Sequence, residues 1–219
     1  MAFVPVFATC LLLAAVSVAE VGLVSDMVSF LHIQKWFVKT YQINWPNESI
    51  PFGALPAHIW LDQGHTTNGA AGYGFVLGIF GLFVAWKQRN RNGKPPSRSL
   101  LALTILLLLS TLFTLSALIF TFLVTNQTSG QTIDPSLARP NEHYPADKWT
   151  PETWFKALLN TPLADPNKRS EIRTHVRLIE AWRWMLIPLF LADVAALTAA
   201  VMGVLRQRKS TPPDYPREK

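Results

Sequence analysis

The chain has 219 residues, a formal charge of +6 and a single cysteine, and its apolar residues are gathered into a few long runs. What remains between those runs is too short and too polar to build a separate soluble core, and the lone Cys10 excludes an intrachain disulfide. Nor is the surplus charge that of a nucleic-acid groove, because it sits in two short segments beside the apolar runs.

Four runs meet the requirement of about 20 apolar helical residues for crossing a bilayer. They cover residues 3–31, 69–86, 100–125 and 184–205. The expected fold is therefore all-α: one four-helix transmembrane bundle over residues 1–205, with interfacial helices and loops on the non-cytosolic side. In the first run, Ser17-Val18-Ala19 resembles the end of a signal peptide, and cleavage there would leave Glu20 first. The apolar pattern continues through Val21, Leu23, Val24, Met27, Val28 and Phe30, which favours a retained helix.

The segment 32–68 interleaves Trp36, Phe37, Tyr41, Trp45, Phe52 and Trp60 with Pro46, Pro51 and Pro56. Prolines interrupt regular helix, and the rings suit a membrane interface, so a compact cap on the bilayer is expected. His58, Asp62 and His65 have the i, i+4, i+7 spacing that a metal site on one helix face would use, and His32 could supply a fourth ligand. Gly64 and Pro56 work against that helix. Asn47-Glu48-Ser49 is a glycosylation triplet, as is Asn126-Gln127-Thr128 after the third run.

The second run offers Ala70, Gly74, Gly78 and Gly81 for close helix contact, as the fourth offers Ala192, Ala196 and Ala200. A homo-oligomer or a membrane-protein partner would use the same stripes. Between the second and third runs lie Lys87, Arg89, Arg91, Lys94 and Arg98 with no acid among them. The third run is bulkier, with Ser110, Thr111, Thr114 and Ser116 available for interhelical hydrogen bonds.

Segment 126–181 balances seven basic residues with seven acidic ones. Thr150-Pro151-Glu152 reads as a helix start leading to an apolar face of Trp154, Phe155, Leu158 and Leu159, a short helix expected to lie in the interface. Asp165-Pro166 repeats the signal, and the spacing of Ile172, Val176 and Ile179 predicts a helix continuous with the fourth run. Trp182-Arg183-Trp184 reads as an interfacial anchor; the alternative is that Arg183 pairs with Asp26 or recognises an acidic ligand.

Residues 206–219 hold five basic residues against two acidic ones and three prolines, and read as a disordered basic tail. Lys and Arg near span ends favour the cytosol. The hairpin, the tail and the N-terminus are therefore expected there, in the plasma membrane or the endoplasmic reticulum.

Glu20 and Asp193 each fall about 15 Å into a span, where a carboxylate must be paired, protonated or hydrated. Facing each other they would make an acid–base or cation site; otherwise each is hydrogen-bonded to a helix neighbour such as Ser17 or Thr198. No nucleophile elbow, phosphate loop, CxxC pair or HExxH helix is present, and no cofactor is expected.

The strings Trp149-Thr150-Pro151-Glu152-Thr153-Trp154 and Trp182-Arg183-Trp184-Met185-Leu186-Ile187-Pro188 resemble a group of uncharacterised four-span membrane proteins of filamentous fungi. That resemblance covers about half the chain and implies no activity. The layout is also similar to claudin-like and eisosome tetraspan proteins, but the first loop lacks their paired cysteines and Gly-Leu-Trp string. The functional expectation is a non-enzymatic tetraspan that organises a membrane or supports a partner. The alternative is a membrane enzyme, or an accessory to one, acting on a lipophilic substrate.

Overall fold

The computed structural model describes residues 3–46, 48–91 and 95–210. Four of its five α-helices are long and apolar enough to cross a membrane. Helix α1 (Phe3–Ile33) runs into a π-helical turn, Gln34–Val38, that ends at Lys39 with φ 61°. Strands β1 (Thr40–Trp45) and β2 (Glu48–Gly53) follow, then α2 (Asp62–Gln88), α3 (Arg98–Gln127), α4 (Pro151–Leu159) and α5 (Pro166–Ser210). The predicted continuity of the Ile172 helix with the fourth span holds, since α5 is unbroken. It extends to Ser210, past the boundary expected at 205; residues 211–219, the rest of the predicted tail, lie outside the described residues.

Three elements depart from the sequence reading. The first loop carries an antiparallel hairpin in the register Thr40↔Gly53, Ile43↔Ile50 and Trp45↔Glu48. A proline is tolerated in β2 because a two-stranded sheet leaves its edges unpaired. Helix α2 begins at Asp62 rather than near 69, taking in the buried polar residues Gln63 and Thr67. And α4 is not an exposed amphipathic helix: Pro151, Glu152, Thr153, Trp154, Phe155, Ala157 and Leu158 are all buried. Thr150 accepts a hydrogen bond from the Thr153 amide at 3.2 Å, and Thr153 Oγ1 accepts one from the Thr150 amide at 3.1 Å. This reciprocal cap starts the helix.

The chain divides into two compact units. Unit 1 comprises Met1–Ala19, Gly69–Ser116 and Ile187–Lys219. Its helix segments meet through small residues. A methyl added at Gly78 would lie 2.8 Å from the Ala14 backbone nitrogen, one at Gly74 would lie 2.7 Å from Ser17 Oγ, and one at Gly81 would lie 2.9 Å from Cys10 Cβ. Ala192, Ala196, Ala199 and Ala200 are buried on the α5 segment. In lipid, close backbone approach of this kind replaces the hydrophobic driving force.

Unit 2 comprises Glu20–Asn68 and Ala117–Leu186, and its core is aromatic. Trp149, Trp154, Phe155, Phe52 and Tyr144 pack with the apolar face of the hairpin, Tyr41 and Ile43. Trp154 stacks on Phe52 with ring centroids 5.8 Å apart and meets Trp149 edge-on at 5.2 Å. Its indole N–H donates to the Ala54 carbonyl at 2.8 Å. Backbone hydrogen bonds tie the connecting segments into the same unit, among them Trp60 N to Trp149 O at 2.7 Å, Trp149 N to His58 O at 3.0 Å and Asn44 N to Pro162 O at 2.9 Å. Gly53 is required here, because a side chain would meet the Glu142 carbonyl oxygen at 2.6 Å.

Candidate functional site

The two carboxylates singled out from the spans fall in different units. Asp193, fully buried in unit 1, accepts from Ser110 Oγ at 2.9 Å and Thr114 Oγ1 at 2.6 Å. Its partners are therefore two α3 hydroxyls one turn apart and not Thr198, which donates to its own helix at Val194. Both carboxylate oxygens engage α3, so Asp193 fastens α5 to α3. Glu20 is also fully buried, and neither of its oxygens has a hydrogen-bond partner among the described residues.

The His58, Asp62 and His65 spacing does not produce a metal face. His58 precedes α2, in the extended stretch held by Trp149, so the helix that the spacing presumes is absent there. All three side chains are exposed, and among the described residues no group of three or more His, Cys, Asp or Glu could hold a metal ion. Gly64 does not break α2; a methyl there would approach only the flexible tip of Met27, at 3.0 Å.

Arg183 does not pair with Asp26. Its Nε lies 3.0 Å from Glu152 Oε2, close enough for an ion pair but not aligned as a hydrogen bond. Glu152 is 4% exposed in its side chain, sits in the first turn of α4 and also accepts from Lys156 Nζ at 2.6 Å. Lys156 reaches Glu180 at 2.6 Å as well. Burial works to lower the Lys156 ammonium, but hydrogen bonds and charge from Glu152 and Glu180 outweigh it and hold the group above its ordinary value. Two acids and two bases thus form a neutral network along α4 and α5, of which Glu152, Lys156 and Arg183 line a cavity of about 770 Å³. Asp26 pairs with His175 Nδ1 at 3.1 Å, and that ring stacks on Phe30.

The anchor string divides. Trp182 is buried at 2% exposure in the unit 2 core, so its ring is enclosed by the protein. Trp184 is 55% exposed, edge-on to Phe122 at 5.3 Å, with the Arg183 guanidinium 5.4 Å from its ring. Asn126 is exposed on the last turn of α3, and Asn47 lies outside the described residues.

A second cavity of unit 2, about 410 Å³, is walled by the last turns of α1, the segment 55–61 and the first turns of α2. His32, His65 and His143 line it, whereas His58 does not. Sequence reasoning passed over His143 and His175 because each finds its place only through a contact far along the chain, 88 and 149 residues away. It read Glu152 and Arg183 as separate local signals; the Glu152 to Lys156 spacing was the visible clue.

No family model, curated protein or solved structure matches the chain.

Proposed function

We propose that this chain is a non-enzymatic multi-pass membrane protein that organises a bilayer or supports a membrane-protein partner. The observation that carries this reading is the binding of Asp193 by Ser110 and Thr114. Intramembrane carboxylates usually mark function, but this one is engaged in joining two spans. The glycine contacts of unit 1 serve the same end, and the exposed rings of Trp36, Phe37, Trp86 and Trp184 suit contact with lipid headgroups or a partner.

In this reading the basic hairpin, the tail and the N-terminus face the cytosol, in the plasma membrane or endoplasmic reticulum. Asn47 and Asn126 lie on the other side and Asn47 carries a glycan. A second reading, an enzyme or enzyme accessory for a lipophilic substrate, draws on one observation, the buried and unpartnered carboxylate of Glu20.

Glu20→Gln separates the two. The scaffold reading expects unchanged abundance of the protein and of the membrane proteins that co-purify with it, measured by quantitative proteomics of isolated membranes against a deletion strain. A deletion strain that loses no co-purifying protein, together with a Glu20→Gln strain that accumulates a lipid precursor at normal protein abundance, would overturn it.

A further inference from the structure

We propose that the 410 Å³ cavity of unit 2 binds one long-chain fatty acid, with its alkyl chain between α1 and α2 and its carboxylate at the rim. The walls are apolar: Val24, Met27, Val28 and Leu31 from α1, and Leu55 and Leu61 from the segment before α2. Val28, on the α1 wall, is 53% exposed, which leaves a side open through which a chain could enter from the bilayer. The volume lies toward the lower end of the range for ligand pockets, about 300–1,000 Å³. It suits a single acyl chain rather than a diacyl lipid.

Charge selects the head group. The rim carries Lys35, His32, His65 and His143, and no Asp or Glu is among the described residues that line the cavity. Lys35 makes no ion pair among the described residues; its ammonium lies over the Trp36 ring, 5.3 Å from the centroid. His143 Nδ1–H donates to the Leu55 carbonyl at 2.8 Å, so in a neutral ring Nε2 is an acceptor and the charged contact for a carboxylate is Lys35. A carboxylate there gains charge-assisted hydrogen bonds, and an alcohol of equal length gains only the burial of its chain. The site does not depend on the scaffold reading, since a supporting protein and an enzyme could each hold a fatty acid.

The test uses the full chain in nanodiscs of uncharged phosphatidylcholine, with palmitic acid carrying a photoactivatable diazirine near its tail. Labelling is expected on peptides containing Met27, Leu55 or Leu61. Unlabelled palmitate should compete at least about tenfold better than hexadecanol, the difference one charge-assisted contact provides. Lys35→Glu, at an exposed position, should weaken labelling by a similar factor with an unchanged melting temperature, and Gly64→Leu should block it by filling the cavity. Equal competition by hexadecanol, labelling confined to other peptides, or undiminished labelling of Lys35→Glu would each overturn the proposal. The competition arm needs no variant, so a misfolded variant does not protect it.

Discussion

The two units reach cohesion by opposite means. Unit 1 holds together where side chains are missing: Gly74, Gly78 and Gly81 let neighbouring backbone and small side chains approach to distances at which a methyl would collide. Unit 2 holds together where side chains are largest, with Trp149, Trp154, Trp182, Phe30, Phe52 and Phe155 among the most completely buried groups in the chain. The contrast is the one that a change of solvent from water to lipid would produce. Water drives large apolar surfaces together, whereas lipid does not, and a span gains instead from contact at short range and from interhelical hydrogen bonds such as those of Asp193.

The largest expected effect tests the aromatic half of this contrast. Trp154→Ala would leave a cavity beside Phe52, Tyr144 and Trp149 and an unpaired Ala54 carbonyl. Such truncations cost about 3–5 kcal/mol. Tryptophan fluorescence is the readout, because seven of the eight tryptophans belong to unit 2. A loss below about 0.5 kcal/mol, the range of ordinary surface substitutions, would break the comparison.

The next effect tests the other half. Gly78→Ala places a methyl against the Ala14 backbone, which cannot rotate away, so a cost of about 1–3 kcal/mol is expected. Gly81→Ala meets the side chain of Cys10, and Cys10→Gly should restore part of the loss, whereas no side-chain change at residue 14 can fully relieve Gly78→Ala. Thermal melting of the four proteins in one detergent makes the comparison.

A smaller effect concerns charge in unit 2. Lys156 is held above its ordinary value of 10.5, so the stability it lends is complete below that pH and is lost as pH rises through the raised value. The Tyr41 phenol, which donates to Gln34, is raised from 10.0, chiefly by burial and then by the Glu171 charge; its contribution has the same sign. Unit 2 should therefore weaken above about pH 10, as read by tryptophan fluorescence. Glu152→Gln, which removes one of the charges that raises Lys156, should shrink this pH-dependent loss.

Much of this architecture was legible in the sequence, and the unread part has physical causes. Apolar length announced the four long helices, and proline after threonine announced α4. Ser110 and Thr114 were visible as interhelical donors, but nothing local distinguished them from Thr111 and Ser116, which donate to their own helix. The hairpin buries every second residue, Tyr41 and Ile43 against Ile50 and Phe52, but the prolines of this segment were read only as breaks in a helix. α4 read as a surface helix because its apolar face is visible in sequence, whereas the burial of Glu152 depends on Arg183 arriving from α5. The Glu152 network and the rim of the 410 Å³ cavity are tertiary facts, since each joins residues from distant segments.

The smallest effect is the sharpest control. Gly72 lies on the same helix as Gly74, Gly78 and Gly81, but a methyl there would meet nothing within 4 Å. If glycine served α2 through flexibility alone, Gly72→Ala and Gly78→Ala would change stability alike. If close approach is the reason, Gly72→Ala should be neutral or gain up to about 1 kcal/mol, the advantage of alanine over glycine inside a helix, while Gly78→Ala loses. Melting temperatures that fall together for both variants would show that space at the helix contact is not what unit 1 requires.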